Sequence, residues 1–308
     1  MLDVDTFLTT LYVMVDDFCK DNLGKAPLPG RPTALAPSEV ITLALLEQFW
    51  RFRSEREFYR YAHRHLRAAF PRLPDRAQFN REVRHSWKRL VAFGQALVDR
   101  LQAQQGIFEV LDSVPVPVRN SKRRGRGWLG GLANIGWSTR LGWYNGFRGL
   151  IAVNATGVIT GFAFCAANEK DQSPADTFLA LRRWPNAALP TVGRYTAAFY
   201  LADNGFEGEA TNRHWQRDYA ATVIAAPAHK QEDRWPRRWW LWFKSLRQIV
   251  ETVYDKLENW LGLGRDRNHE LSGFHVRFAA KVTLHNFLIY LNQQLGRPAL
   301  AFADLVDW

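Results

Sequence analysis

The sequence predicts an α/β domain built on a mixed β-sheet flanked by helices, with an all-helical domain before it and a C-terminal helix after it. Three observations support this. Apolar residues recur at helical spacing up to about residue 105, short apolar runs alternate with turn residues from 106 to 226, and a long amphipathic pattern follows. The predicted ranges are a helical DNA-binding or dimerisation domain at 1–105, a sheet domain at 106–265, and a helical segment at 266–308 that packs on the sheet domain.

Composition limits the classes of partner. The chain carries a net charge of +11, so an acidic polymer is the expected partner, with DNA or RNA ahead of an anionic membrane. Two cysteines are too few for a disulfide framework or a thiolate zinc site, which fits a reducing cytoplasm. No apolar run approaches membrane-spanning length, and the acidic N-terminus does not resemble a signal peptide.

The first 105 residues predict four or five helices. Pro37-Ser38-Glu39 opens one of them, with proline at a first-turn position, and another is expected from about Glu55 to Phe70. Lysine and arginine are dense between Arg51 and Arg89. This density suggests a DNA-facing surface, although most such runs are solvated helix faces.

The central stretch, Ile107 to Val118, has the short apolar pattern of a buried strand. Asp112 is predicted to lie at the end of this strand, and an ionised carboxylate in apolar surroundings is costly unless a positive group neutralises it. An alternative is that Asp112 caps a turn with Ser113. A basic loop follows at 119–126, and runs at 143–153 and 158–166 predict a β-hairpin around residues 154–157.

A second carboxylate, Asp203, follows another apolar run at 197–202. Helices are expected at 174–184 and 209–219 and a strand at 221–226. Because carboxylates at the ends of adjacent strands meet at one sheet edge, Asp203 strengthens the functional interpretation of Asp112.

A third carboxylate is expected on a helix from Leu246 to Leu261. Glu251 and Glu258 both flank its apolar stripe, and periodicity alone does not choose between them. A surface pair of Arg247 with Glu251 is a competing interpretation. Three carboxylates on strand, strand and helix are what two hard divalent cations need, and two-cation chemistry suits phosphodiester hydrolysis and transfer.

Three sequence motifs around these carboxylates together resemble those of a known family. LDSVPVPV, LADNGFEG and RQIVETVYDKLE are similar to the three acidic motifs of bacterial insertion-sequence DDE transposases, which have a ribonuclease-H-like catalytic domain. The likeness is greatest to insertion-sequence family nine-eighty-two, near the IS4-like group. Lys244 and Glu258 depart from the wider signature, where tyrosine and lysine are usual. The resemblance implies a DNA strand-cleaving and strand-transferring enzyme that uses two Mg²⁺ or Mn²⁺ ions.

The resemblance also assigns residues. It implies that Asp112, Asp203 and Glu251 are the catalytic metal ligands, with Arg247 on a DNA phosphate. Double-stranded DNA is the expected partner, as terminal inverted repeats and as target, bound by a homodimer in the bacterial cytoplasm. The candidate DNA contacts are Arg119, Lys122, Arg123, Arg124, Arg126, Lys230, Arg237, Arg238, Lys244, Arg247, Arg277 and Lys281. Two alternatives are a structure-selective nuclease of the same fold and a DNA-binding protein that has lost catalysis.

Overall fold

A computed structural model describes residues 1–22, 33–119, 129–186, 191–192, 197–227, 235–266 and 268–307. Some helices precede one mixed β-sheet along the chain, others lie on its two faces, and one follows it. The helices are α1 (Val4–Asn22), α2 (Pro37–Phe49), α3 (Glu55–His65), α4 (Arg76–His85), α5 (Trp87–Arg100), α6 (Gln172–Arg183), α7 (Glu209–Tyr219), α8 (Arg237–Asp255) and α9 (Leu271–Gln294). The strands are β1 (Phe108–Arg119), β2 (Asn134–Ser138), β3 (Gly142–Val153), β4 (Ile159–Ala166), β5 (Phe199–Ala202) and β6 (Val223–Ala225).

Polar caps fix the N-terminal helices where the sequence predicts them. Pro37 is the first residue of α2, and the Glu39 carboxylate accepts a hydrogen bond from the backbone N–H of Ala36 at 2.6 Å. Asp75 caps α4 by accepting from two backbone N–H groups. The third helix ends at His65, earlier than the predicted Phe70.

The sheet combines antiparallel and parallel strands. β3 runs antiparallel to β1 on one side and to β2 and β4 on the other, while β5 and β6 continue the sheet beyond β1 in parallel. The order β4-β3-β1-β5-β6 is that of the ribonuclease-H-like fold, so the predicted fold class is confirmed. The 143–153 and 158–166 hairpin is also confirmed, whereas β2 was not expected from the sequence.

Helices cover both faces of the sheet, and the two faces bury separate apolar clusters. Side chains of β1 alternate between them, with Val110 and Val114 in the cluster of α8 and α9 and Leu111 in the cluster of α6 and α7. Asp112 shares the face of Val110 and Val114 because it lies two residues from each. It therefore points toward the side of the sheet that α8 occupies.

The C-terminal helix α9 is buried along almost its whole length. It packs on α2, α4 and α5 as well as on β4, so it lies between the N-terminal helices and the sheet. Leu97, Val110 and Phe278 all belong to one apolar cluster. The core is therefore continuous across the predicted boundaries at 105 and 265, and those boundaries stay predictions.

Candidate active site

Asp112 lies in the interior of β1, opposite Ile151 of β3. The predicted strand-end position is wrong, because β1 continues through Pro115 and Pro117 to Arg119 by pairing with β3. Its Oδ1 atom accepts a hydrogen bond from the backbone N–H of Ser113 at 2.8 Å. The side chain is 15% exposed, so it faces a partly enclosed space and not bulk water. The Asp112–Ser113 turn alternative does not hold, because both residues continue the extended strand.

Asp203 follows the last residue of β5, the strand next to β1. Its Oδ1 atom accepts from the backbone N–H of Gly205 at 2.9 Å, where the chain makes a short 3₁₀ turn. This position at the carboxyl end of a parallel strand is the one predicted from the sequence.

The two carboxylates act on each other electrostatically. Burial raises the pKa of Asp112 to about 7, repulsion from Asp203 adds to the rise, and the guanidinium of Arg247 opposes it. Burial also raises the pKa of Asp203, again against the attraction of Arg247. Both groups therefore lie where negative charge is under-neutralised.

The helix α8 presents two further side chains to Asp112. The Nη2 atom of Arg247 lies 3.5 Å from Asp112 Oδ2, and the hydroxyl of Tyr254 donates a 2.5 Å hydrogen bond to the Asp112 carbonyl oxygen. Burial holds the pKa of Tyr254 well above its ordinary value, so the hydroxyl keeps the proton that it donates. Arg247 and Tyr254 are seven residues apart, which is two helical turns, so one face of α8 packs on β1.

Glu251 and Glu258 differ in their surroundings. Glu251 lies one turn after Arg247 and is exposed, with no hydrogen bond or ion pair among the described residues. Glu258 lies in a π-helical turn, Lys256–Trp260, that follows α8, and its carboxylate pairs with Arg140 at the β2–β3 turn. Glu258 is thus already neutralised, whereas Glu251 has a free carboxylate.

A fourth carboxylate, Asp171, was missed by the sequence analysis. It accepts a 2.6 Å hydrogen bond from Arg148 Nη1 and a second from the hydroxyl of Ser113, the residue after Asp112. Asp171 and Asp203 both lie next to Gly205. A Cβ atom added at Gly205 would be 2.5 Å from Asp171 Oδ2 and 3.0 Å from Asp203 Oδ1. Asp171 sits in a polar turn after β4, where no apolar strand-end pattern singled it out.

The donor chemistry of this site suits a divalent cation. Asp112 and Asp203 are partly buried carboxylates with raised pKa values, and a hard cation prefers such oxygen ligands. Across the described ranges, however, no group of three or more His, Cys, Asp or Glu side chains is placed to hold a metal. The pair fits the expected ion, and completion of the set by Glu251 stays a prediction.

The predicted DNA contacts fall into three groups. The first group lies outside the described residues and contains Lys122, Arg123, Arg124, Arg126 and Lys230. Arg119 is described only as the last residue of β1. Exposed cations stand on the first half of α8, which begins at Arg237 and not at the predicted Leu246. These exposed cations are Arg237, Arg238 and Lys244.

Two predicted DNA contacts are wrong. Arg277 and Lys281 of α9 are only 4% and 2% exposed. Arg277 pairs with Glu47 and Asp266, and Lys281 donates to Gln48 at 2.7 Å and lies 3.4 Å from Asp266. Both cations are paired with side chains inside the protein, so they cannot contact a DNA phosphate.

The tryptophans near α8 divide into packed and exposed side chains. Trp235 and Trp240 pack on Phe243 of the core, so both have a structural role. Trp239 and Trp242 are about half exposed and contact each other edge to face at 5.8 Å.

Comparisons with known proteins identify the family. The chain matches the family model of the transposase DDE domain from residue 106 to residue 287, more than half of its length, and it belongs to that family. A comparison with curated protein sequences finds no match. Within the described residues, no helix has both the length and the apolarity to span a membrane.

Two solved structures are similar to the chain at a low level. The Mos1 transposase in a paired-end complex with the left transposon end shares 13% identity over 87% of this chain and 81% of that one, with a TM-score of 0.24. A pre-cleavage Mos1 transpososome shares 11% identity over 86% and 81%, with a TM-score of 0.21. Similarity at this level does not support a statement about the site.

Proposed function

We propose that this protein is the transposase of a bacterial insertion sequence, of family nine-eighty-two near the IS4-like group. It would bind the element's terminal inverted repeats, cleave there by hydrolysis, and join the freed 3′-hydroxyl ends to target DNA by transesterification. The observation that supports this best is the meeting of Asp112 and Asp203 beside Arg247, in a member of the transposase DDE family.

The metal ligands in this proposal are Asp112, Asp203 and Glu251. Bound Mg²⁺ or Mn²⁺, as two ions, would lower the pKa of the attacking water or hydroxyl and stabilise charge on the leaving oxygen. The chain's own part is positioning and electrostatics. Asp112 and Asp203 hold negative charge on the neighbouring strands β1 and β5, and Tyr254 fixes the backbone of β1 at Asp112 against α8.

In this proposal Arg247 contacts a DNA phosphate as well as Asp112. Its Nε atom is buried without a hydrogen-bond partner, and its Nη2 lies 3.5 Å from Asp112, longer than an ordinary charge-assisted hydrogen bond. Its guanidinium is therefore only partly engaged. A DNA phosphate next to the carboxylates would complete its contacts.

The expected partner is double-stranded DNA, bound by a homodimer in the bacterial cytoplasm, because two element ends must be brought together. Exposed cations on α8 and the basic loop at 119–126 are the candidate phosphate contacts. A structure-selective nuclease and a catalytically inactive DNA-binding protein are the two alternatives.

The test uses a DNA fragment that carries the inverted repeats flanking this gene, a supercoiled target plasmid and Mg²⁺. We expect cleavage at the repeats and joined products with wild-type protein, and we expect Asp203→Asn to lose both while DNA binding persists. Asp218→Asn is the matched control, because Asp218 lies on α7 and pairs with Arg217 and His214.

The outcomes separate the three functions. Nicked target without joined ends would point to the nuclease, and binding without metal-dependent cleavage would point to the inactive protein. Near-normal cleavage by Asp203→Asn would overturn the site assignment itself.

A further inference from the structure

An open cleft of about 500 Å³ lies beside the carboxylates, on the part of the sheet formed by β2, β3 and β4. Its walls are aromatic on one side and charged on the other. The residues that matter here are Trp137, Trp143, Arg148, Lys170, Asp171 and Gly205.

The aromatic wall consists of two tryptophans on neighbouring strands. Trp137 of β2 and Trp143 of β3 are directly opposite each other in the strand register, and they are 52% and 67% exposed. Neither indole contacts another aromatic ring among the described residues. Two adjacent indoles that are each more than half exposed are costly in water, which indicates a flat apolar ligand.

The charged wall has hydrogen-bonding capacity that the fold leaves unused. Lys170 is exposed at the mouth of the cleft, next to the exposed Glu169. The Nε atom of Arg148, which lines the cleft, is buried without a hydrogen-bond partner. An unpartnered buried polar atom of this kind indicates a missing polar ligand.

The cleft is continuous with the candidate active site. Asp171 and Gly205 line it, and a Cβ on Gly205 would touch both Asp171 and Asp203. A nucleotide chain that passes Asp203 would therefore lead into the cleft. Glu169 and Asp171 offset much of the positive charge here, so base stacking and not phosphate attraction is the dominant expected contribution.

We propose that this cleft binds an unpaired nucleotide of the DNA, with its base on Trp137 and Trp143 and its phosphate near Lys170 and Arg148. This inference rests on the proposed function, because the occupant is identified from the DNA that the neighbouring carboxylates would process. A base in the interior of a duplex is excluded from stacking in this way, since neighbouring base pairs cover both of its faces. The cleft therefore gives the protein a preference for DNA ends that carry a short single-stranded extension.

The test measures binding without cleavage, in EDTA, for two fluorescein-labelled duplexes of equal paired length. One is blunt and the other carries a three-nucleotide extension that contains 2-aminopurine. We expect wild-type protein to bind the extended duplex more tightly and to quench the 2-aminopurine. Trp143→Ala should weaken binding to the extended duplex by roughly 5- to 100-fold, while binding to the blunt duplex changes less than about twofold.

Two variants keep the result interpretable. Trp143→Phe retains a stacking ring and should keep most of the preference. Trp184→Ala removes an indole that is 58% exposed at the far end of α6, about 18 Å from the helix start at the cleft, and should change neither affinity. Melting temperatures of all three variants check that they fold.

Three results would contradict the proposal. Equal affinity of wild-type protein for the two duplexes overturns the inference while leaving the proposed function standing. Loss of preference in Trp143→Phe as well as Trp143→Ala also overturns it, because a merely structural role for the indole would do the same. Failure to bind either duplex overturns the proposed function and this inference together.

Discussion

Two groups of charges in this protein have opposite balances. The first is buried between α2 and α9; it contains the cations Arg277 and Lys281 and the carboxylates Glu47 and Asp266, and every charge has a partner. The second is partly buried beside β1 and the end of β5, and it contains Asp112, Asp171 and Asp203 but only Arg148 and Arg247.

The difference separates stability from function. A balanced buried network holds two elements in register, because removal of any one charge leaves its partner buried and uncompensated. An unbalanced group destabilises the empty fold and is instead suited to bind a cation. Burial is the main cause of the raised pKa of Asp112, about 7, and repulsion from Asp203 adds to it. Burial raises the pKa of Glu47 in the balanced network to about 7 as well, so the two groups differ in their charge partners and not in this pKa.

The largest expected effect comes from breaking the balanced network. Arg277→Met removes the guanidinium between Glu47 and Asp266 while keeping an unbranched side chain, and we expect the free energy of unfolding to fall by about 3–5 kcal/mol. Chemical denaturation at pH 7 measures this. Arg237→Met, an exposed position on α8, is the control and should change stability by less than about 0.5 kcal/mol. A cost below about 1 kcal/mol for Arg277→Met would mean that the network is not stabilising.

The next effect is on chemistry, and it distinguishes the two glutamates that the sequence left open. Glu251→Gln should lower Mg²⁺-dependent cleavage by about 100- to 1000-fold, because it removes a metal ligand without touching the core. Glu258→Gln should cost little chemistry, since Glu258 pairs with Arg140. Single-turnover cleavage of the terminal-repeat substrate measures both. If Glu258→Gln is the inactive variant, the third ligand is Glu258.

A smaller effect is the pH dependence of stability without metal. Because the folded-state pKa of Asp112 is raised to about 7 from an ordinary 3.8, its contribution to stability is full at low pH and is lost as the pH rises through 7. The wild type should therefore lose about 2 kcal/mol more than Asp112→Asn between pH 5 and pH 8 in EDTA. The raised pKa of Glu47 acts in the same direction in both proteins, so the difference between them isolates Asp112. Parallel pH profiles would show that Asp112 is not under-neutralised.

Much of the sheet could be predicted from sequence because its signals are local. The strand at Asp112, the hairpin of β3 and β4 and the strand before Asp203 are short apolar runs bounded by turn residues. The strand β2 contains Gly136 and two polar ends, so it has no such pattern. Its pairing depends on β3, which is a tertiary contact.

The wrong predictions share another cause. Arg277 and Lys281 lie four residues apart on the C-terminal helix, and the sequence analysis predicts both as DNA contacts. The helix α9 is apolar on all sides, however, and that pattern indicates a helix buried all round, whose cations need internal partners. Asp171 was missed because only the folded chain brings the turn after β4 next to Ser113 and Gly205.

The most direct test of the central claim is divalent-cation binding by the wild type and by Asp203→Asn, measured by Mn²⁺ electron paramagnetic resonance at pH 8 without DNA. Wild-type protein should bind Mn²⁺, and Asp203→Asn should bind it at least about tenfold more weakly, while Asp218→Asn on α7 matches the wild type. Equal Mn²⁺ affinity in the wild type and Asp203→Asn would contradict the claim that the unbalanced carboxylates form a metal site.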